Sequence, residues 1–332
     1  MQTDVAGVSG QGTNRPHAPI AGDIRITVPI SSMCLIEDDG TIIDDPFSIV
    51  LQPGYEVTAL DDAEQNRLLD GPYRINAFVR LEILGQISQE EHDFHDEAQR
   101  RQLSELVIGT LSKLSLCVRG YFSAAYAVID RFDGSIWRRE SYLSTGEPSY
   151  DLRCAHVPKS RLSTWATLLD EWPSEPDAAL TLSVNYYRES LLDRAQGNFS
   201  RALVSSAIAT EILFGKGNGE LGTLISTRAA HLVARGNNAF EVQKMIKKLY
   251  GKRSSVVHTG KGGGKAEVDL WHQFLMHALP SVAAWGGTVA ELHSALDAAS
   301  FRRGDALDRL LDEDGWWAFC NFVMCLRASS VQ

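Results

Sequence analysis

No stretch of this 332-residue chain reaches the roughly 18 consecutive apolar residues that a membrane-spanning helix needs. Residues 1–22 are rich in Gly, Ser, Thr, Asn and Pro and hold no apolar run. They lack the hydrophobic segment of a secretory signal and read as a flexible tail, so the expected location is the cytoplasm, with no membrane partner. Only 11 prolines are present, which excludes a collagen-like or polyproline scaffold. The five cysteines (Cys34, Cys117, Cys154, Cys320, Cys325) are odd in number, scattered and without a CxxC pair. That excludes a disulfide framework or zinc ribbon and suits small core thiols in a reducing compartment. Neither a G-x-S-x-G elbow nor an H-E-x-x-H pair occurs, so serine-hydrolase and zincin chemistry lack a basis. No cofactor is expected.

The composition that remains is ordinary for a folded protein, with 44% hydrophobic and 22% charged residues. The length favours two domains. From Asp23 onward short β-branched runs recur: Ile24–Ile30, Phe47–Leu51 and Tyr73–Leu81, then Ala124–Ile129 and Ile136–Leu143. Between them, Ser88 and Glu91 form a capping box for a long helix striped by Leu103, Leu106, Val107, Leu111, Leu114 and Leu116. A short helix is expected over Leu162–Leu169. Residues 23–175 therefore read as an α+β domain. The Trp172-Pro-Ser-Glu-Pro176 turn marks its end. Residues 176–332 show helical periodicity almost throughout, with helices expected near 178–195, 199–214, 220–235, 238–257, 266–279, 281–298 and 305–326. This second domain is expected to be all-α.

The net charge of −10 conceals an asymmetry. Between Asn198 and Lys265 eleven cations face only Glu211, Glu220 and Glu241, so this segment carries +8 and the rest of the chain −18. Seven of the nine lysines lie in it, and no acid occurs from Lys244 to Lys265. A basic island in an acidic protein is an electrostatic footprint for a polyanion; the plain alternative is a solvated helix face.

Four other features have bland readings beside their sharper ones. His92 and His95, three apart and flanked by acids, could share a metal, but no third ligand is set and acids suit a helix start. His272 and His277 sit five apart on an apolar helix and make a poorer pair. The run Thr259-Gly-Lys-Gly-Gly-Gly-Lys265 lacks the Ser/Thr and preceding strand of a phosphate-binding loop and reads as a mobile basic loop. Trp316 and Trp317, with Phe319, Phe322 and Met324, fit core or dimer packing better than a binding stripe.

The most informative stretch runs from Glu241 to His258. Val242, Met245, Ile246, Leu249, Val256 and Val257 form an apolar stripe, and Lys244, Lys247, Lys248 and Lys252 occupy much of the remainder. Arg253 and His258 are five residues apart, about 140° around a helix. The segment Leu249-Tyr-Gly-Lys-Arg-Ser-Ser-Val-Val-His-Thr-Gly260 resembles the R-x(4–6)-H signature of the HEPN superfamily, most closely its Apea-like branch. Arg201–Phe214 and Ser226–Leu232 resemble that family's preceding helices, and the likeness extends over about 178–326. Departures are Ser254, where Asn, Asp or His is common, and Thr259, where Gly is.

The resemblance implies an all-α HEPN-like bundle that pairs into a homodimer through the C-terminal helical domain, and from it alone comes the expectation of a regulatory or sensing role for residues 23–175. It also implies metal-independent endoribonuclease activity in prokaryotic anti-phage defence or a toxin module, with a phage-derived or protein trigger. Arg253 and His258 would be catalytic: the imidazole as general base or acid, the guanidinium as partner to the phosphate oxygens. Ser254, Lys247, Lys248, Lys252 and Lys261 would hold the RNA backbone without reading bases. The alternative is a non-catalytic RNA- or nucleotide-binding dimerisation module.

Overall fold

A computed structural model of the chain describes residues 23–31, 33–43, 48–52, 54–70, 77–84, 96–145, 155–216, 220–234, 236–260 and 263–299. The elements of the first half are β1 (Ile24–Ser31), β2 (Met33–Ile36), β3 (Ser48–Gln52), β4 (Tyr55–Ala59), α1 (Asp62–Asp70), β5 (Ala77–Leu84), α2 (Glu97–Cys117), β6 (Tyr126–Phe132), β7 (Trp137–Ser144), β8 (Ala155–Pro158) and α3 (Ser160–Glu171). The second half holds α4 (Ala178–Ala195), α5 (Phe199–Phe214), α6 (Leu221–Val233), α7 (Gly236–Thr259), α8 (Lys265–Trp285) and α9 (Val289–Ala299). A sheet-bearing α+β region is thus followed by a helical one. Among the described residues no helix is long and apolar enough to cross a membrane.

The alternation in β1 sets the first half. Ile24, Ile26, Val28 and Ile30 are all buried on one face, and each such burial stabilises by about 2 kcal/mol. Ile26 lies opposite Ile83 of β5 on one side and Ile129 of β6 on the other, which centres β1 in the sheet. The order is β3-β4-β5-β1-β6-β7, every neighbouring pair antiparallel. The buried face packs on Leu103, Val107, Leu111 and Leu114 of α2 and on Leu162, Trp165 and Leu169 of α3. The opposite face carries ion pairs, Arg25 with Asp130 at 3.2 Å and Arg80 with Glu82 at 3.1 Å, beside a small apolar cluster of Leu60, Tyr126 and Val128. β2 and β8 form a separate parallel pair that the sequence pattern does not mark, because each is only four residues long.

Two expectations about helix boundaries are corrected. α2 starts at Glu97, not near Ser88: Asp96 is extended, and its carboxylate accepts the Ala98 N–H at 3.1 Å, a self-contained N-cap. Ser88, Glu91, His92 and His95 lie outside the described residues, as do 1–22 and the helix expected over 305–326 with its Trp316–Trp317 stripe. The break expected at Pro280 does not occur, since α8 runs through it to Trp285. Proline forfeits one backbone hydrogen bond there. Burial of Leu275, Ala278, Leu279, Val282 and Ala283 on both sides holds the helix together. It ends instead at Gly286, whose φ of +69° is left-handed and favours glycine.

The remaining helical boundaries follow the periodicity closely, and α4 to α9 enclose a second core around Tyr187, Phe214, Trp271 and Phe274. α2 touches both cores, its Leu116 facing the helices while Leu114 faces the sheet. Polar bonds reinforce this seam. The Tyr187 hydroxyl donates to the Ser115 carbonyl at 3.1 Å, and Arg188 donates to the Phe122 carbonyl at 2.9 Å.

Candidate functional site

α7 presents the candidate residues. Val242, Ile246, Leu249 and Val256 are buried against the helical core, which turns the opposite side of the helix outward. Phe240, Lys244, Lys247, Lys248, Gly251, Ser255 and His258 are exposed along that outer side, at the spacings that stack residues on one helix face. Lys247 donates to the Thr223 hydroxyl at 3.0 Å and lies 3.9 Å from a Glu220 carboxylate oxygen. Lys252 lies 4.0 Å from Glu267. For Lys244, Lys248 and His258 no hydrogen bond or ion pair is found among the described residues. Ser254 is half-buried on the same helix. Lys261 lies outside the described residues.

Arg253 is placed differently. Its side chain is only 26% exposed and turns toward α5, where Nη2 lies 3.1 Å from a carboxylate oxygen of Glu211, itself 22% exposed. The guanidinium also stands 5.7 Å from the ring centre of Tyr250, one turn earlier on α7. Tyr250 borders Glu211 in turn; partial burial and the neighbouring carboxylate push the phenol up to about 12, against an opposing pull from Arg253. Arg253, Glu211 and Tyr250 thus form one cluster, whereas His258 is exposed near the end of the helix and makes no bond to Arg253. Both lie on one continuous helix, so the separation of about 140° persists. Sequence reasoning missed Glu211 and Tyr250. The clue was that Glu211 is one of only three acids in the basic segment.

The basic island is also less uniform than its charge suggests. Arg228 is 5% exposed and points inward, bonding to Asp297 through two nitrogens and to the Phe214 and Lys216 carbonyls. Arg201 pairs with Asp193 at 3.4 Å. Arg228 braces the bundle from inside, Arg201 stays on the surface, and α7 carries the row of exposed lysines Lys244, Lys247 and Lys248. The loop after α7 joins two helices, and Gly263 packs so closely on α5 that a Cβ there would meet the Ser200 Cα at 2.9 Å.

Of the pair His272 and His277, His272 is structural. His272 is fully buried, and its Nε2 lies 2.6 Å from the Ser190 hydroxyl. Burial, with Arg194 and Arg119 nearby, lowers its pKa to about 3. Among the described residues no group of three His, Cys, Asp or Glu side chains could hold a metal ion. Comparison of the chain with protein-family models, with curated proteins and with solved structures finds no match.

Proposed function

We propose that the helical region is a HEPN-type, metal-independent endoribonuclease that works as a homodimer, with RNA laid along the outer side of α7. The observation that supports this most is the exposed row of Lys244, Lys247, Lys248 and His258, with two of its lysines uncompensated among the described residues. Such a row suits a phosphate backbone and carries no base-reading geometry. In the reaction His258 takes the proton of a ribose 2′-hydroxyl. The freed oxygen attacks the adjacent phosphorus, the bond to the 5′-oxygen breaks, and that oxygen collects a proton. The products are a 2′,3′-cyclic phosphate and a 5′-hydroxyl. Arg253 stabilises the charge that builds on the phosphate oxygens. With Arg253 and His258 on different sides of one helix, a site shared by two copies supplies both groups to one phosphate.

A second reading, RNA binding without cleavage, is favoured by the Glu211–Arg253 pair, which already neutralises the guanidinium. One experiment separates the two. Incubated with total RNA in EDTA, the protein produces cyclic-phosphate ends, and His258→Ala or Arg253→Ala each slow this about 10²-fold or more. Unchanged cleavage by both variants would refute the nuclease reading. If no cleavage occurs, but Lys244, Lys247, Lys248 and Lys252 changed to Gln flatten the salt dependence of RNA binding, the binding module is correct.

A further inference from the structure

Away from α7, a cavity of about 310 Å³ opens where α2 and α3 of the sheet-bearing half meet α8 of the helical half. That volume lies at the low end of small-molecule sites. Leu116, Leu168, Trp172 and Met276 give it an apolar lining, while Arg161 and Glu171 on α3 supply charges of opposite sign. The two charges are ten residues apart, roughly 15 Å along the helix axis. Arg161 is exposed, and no ion pair engages it among the described residues. It is near enough to act electrostatically on two other lining groups, His277 and Cys117. Burial first, and Arg161 second, lower the His277 pKa, so the imidazole offers a neutral polar surface and not a second cation. Pro280, on the same wall, has no N–H to give the Met276 carbonyl four residues earlier.

We propose that this cavity is a binding site for a small amphipathic organic acid, with its flat apolar body against Trp172 and Met276 and its acid on Arg161. Each part of the lining narrows the class. A wholly apolar ligand would leave the guanidinium without a partner it could have had. A diacid or a polyanion such as RNA would bring a second negative charge toward Glu171, and like charges at close range repel. One acid group and one apolar body meet the guanidinium and the apolar lining without that repulsion. Because the walls come from both halves of the chain, an occupant touches α3 and α8 at once. It therefore stabilises the seam between them by mass action. This site is independent of the reading of α7.

The test uses the full chain and two fluorescent probes that share one aromatic body. 8-Anilinonaphthalene-1-sulfonate carries a single acid and an N–H; N-phenyl-1-naphthylamine lacks the acid. The expected result is saturable one-site binding of the sulfonate, weakened at least tenfold by Arg161→Gln, with the neutral probe unaffected by that change. Ala284→Trp fills the cavity from α8 and Thr164→Trp from α3; whichever melts as the parent does abolishes binding of both probes. The proposal is overturned if Arg161→Gln leaves the sulfonate titration unchanged. It is equally overturned if a folded cavity-filling variant still binds both probes.

Discussion

Acidification should destabilise this protein through one identifiable side chain, His272. The hydrogen bonds around it settle its tautomer. Ser190 donates its hydroxyl proton to the Ala202 carbonyl at 2.6 Å, so at the 2.6 Å contact with His272 it can only accept, and Nε2 carries the hydrogen. Ser206, 2.7 Å from the same oxygen, donates to it as well. The second ring nitrogen, Nδ1, is buried without a hydrogen-bond partner. Protonation would place a charged N–H there with nothing to receive it, in a pocket where Tyr187 packs edge-on at 5.5 Å and Arg194 and Arg119 add like charge.

The sign follows directly. The unfolded chain binds this proton near pH 6.5, while the folded one binds it only near 3, so stability is complete above about pH 6.5 and is lost as pH falls toward 3. At pH 5.0 about 1.5 of those pH units have been crossed, costing roughly 2 kcal/mol; the full interval would cost about 5 kcal/mol. His277 and His293 are also lowered, mainly by burial, and add to the same slope. The measurement therefore compares urea unfolding at pH 7.5 and 5.0 for the parent and for His272→Gln. The glutamine amide keeps a donor for Ser190 and cannot titrate. The parent should lose about 2 kcal/mol more than the variant over this interval. Equal losses would refute the assignment of a buried, singly protonated His272.

Three further outcomes test the α7 cluster, the inward-facing cation and the exposed side of α7. Glu211→Gln removes the carboxylate beside Tyr250 and Arg253, so the Tyr250 phenol should titrate lower than about 12 in an ultraviolet pH titration, and stability should fall by roughly 1–2 kcal/mol. Arg228→Ala leaves the Phe214 and Lys216 carbonyls without their donor and Asp297 without its partner, and should cost about 3 kcal/mol in chemical unfolding. Lys248→Ala, on the exposed side of α7, should stay within about 0.5 kcal/mol of the parent.

Much of this architecture is written locally in the chain. The 3.6-residue rhythm of Val242, Ile246 and Leu249 and the two-residue rhythm of Ile24, Ile26 and Val28 each name a buried face before any partner is known. α4 to α7 accordingly begin and end within about two residues of the positions that periodicity and capping predict. The lysine-rich outer side of α7 is legible for the same reason, since burying one stripe turns the other to solvent. Tertiary structure decided the rest. That Arg228 faces inward depends on Asp297, 69 residues later in the chain, and Arg253 is drawn inward by Glu211 on another helix. α8 crosses Pro280 because core contacts on both sides outweigh one missing hydrogen bond, and β2 finds β8 across more than 100 residues. Periodicity tells each segment which side to bury; charge pairs, parallel strand pairs and cavities come into being only when distant segments meet, so no local pattern encodes them.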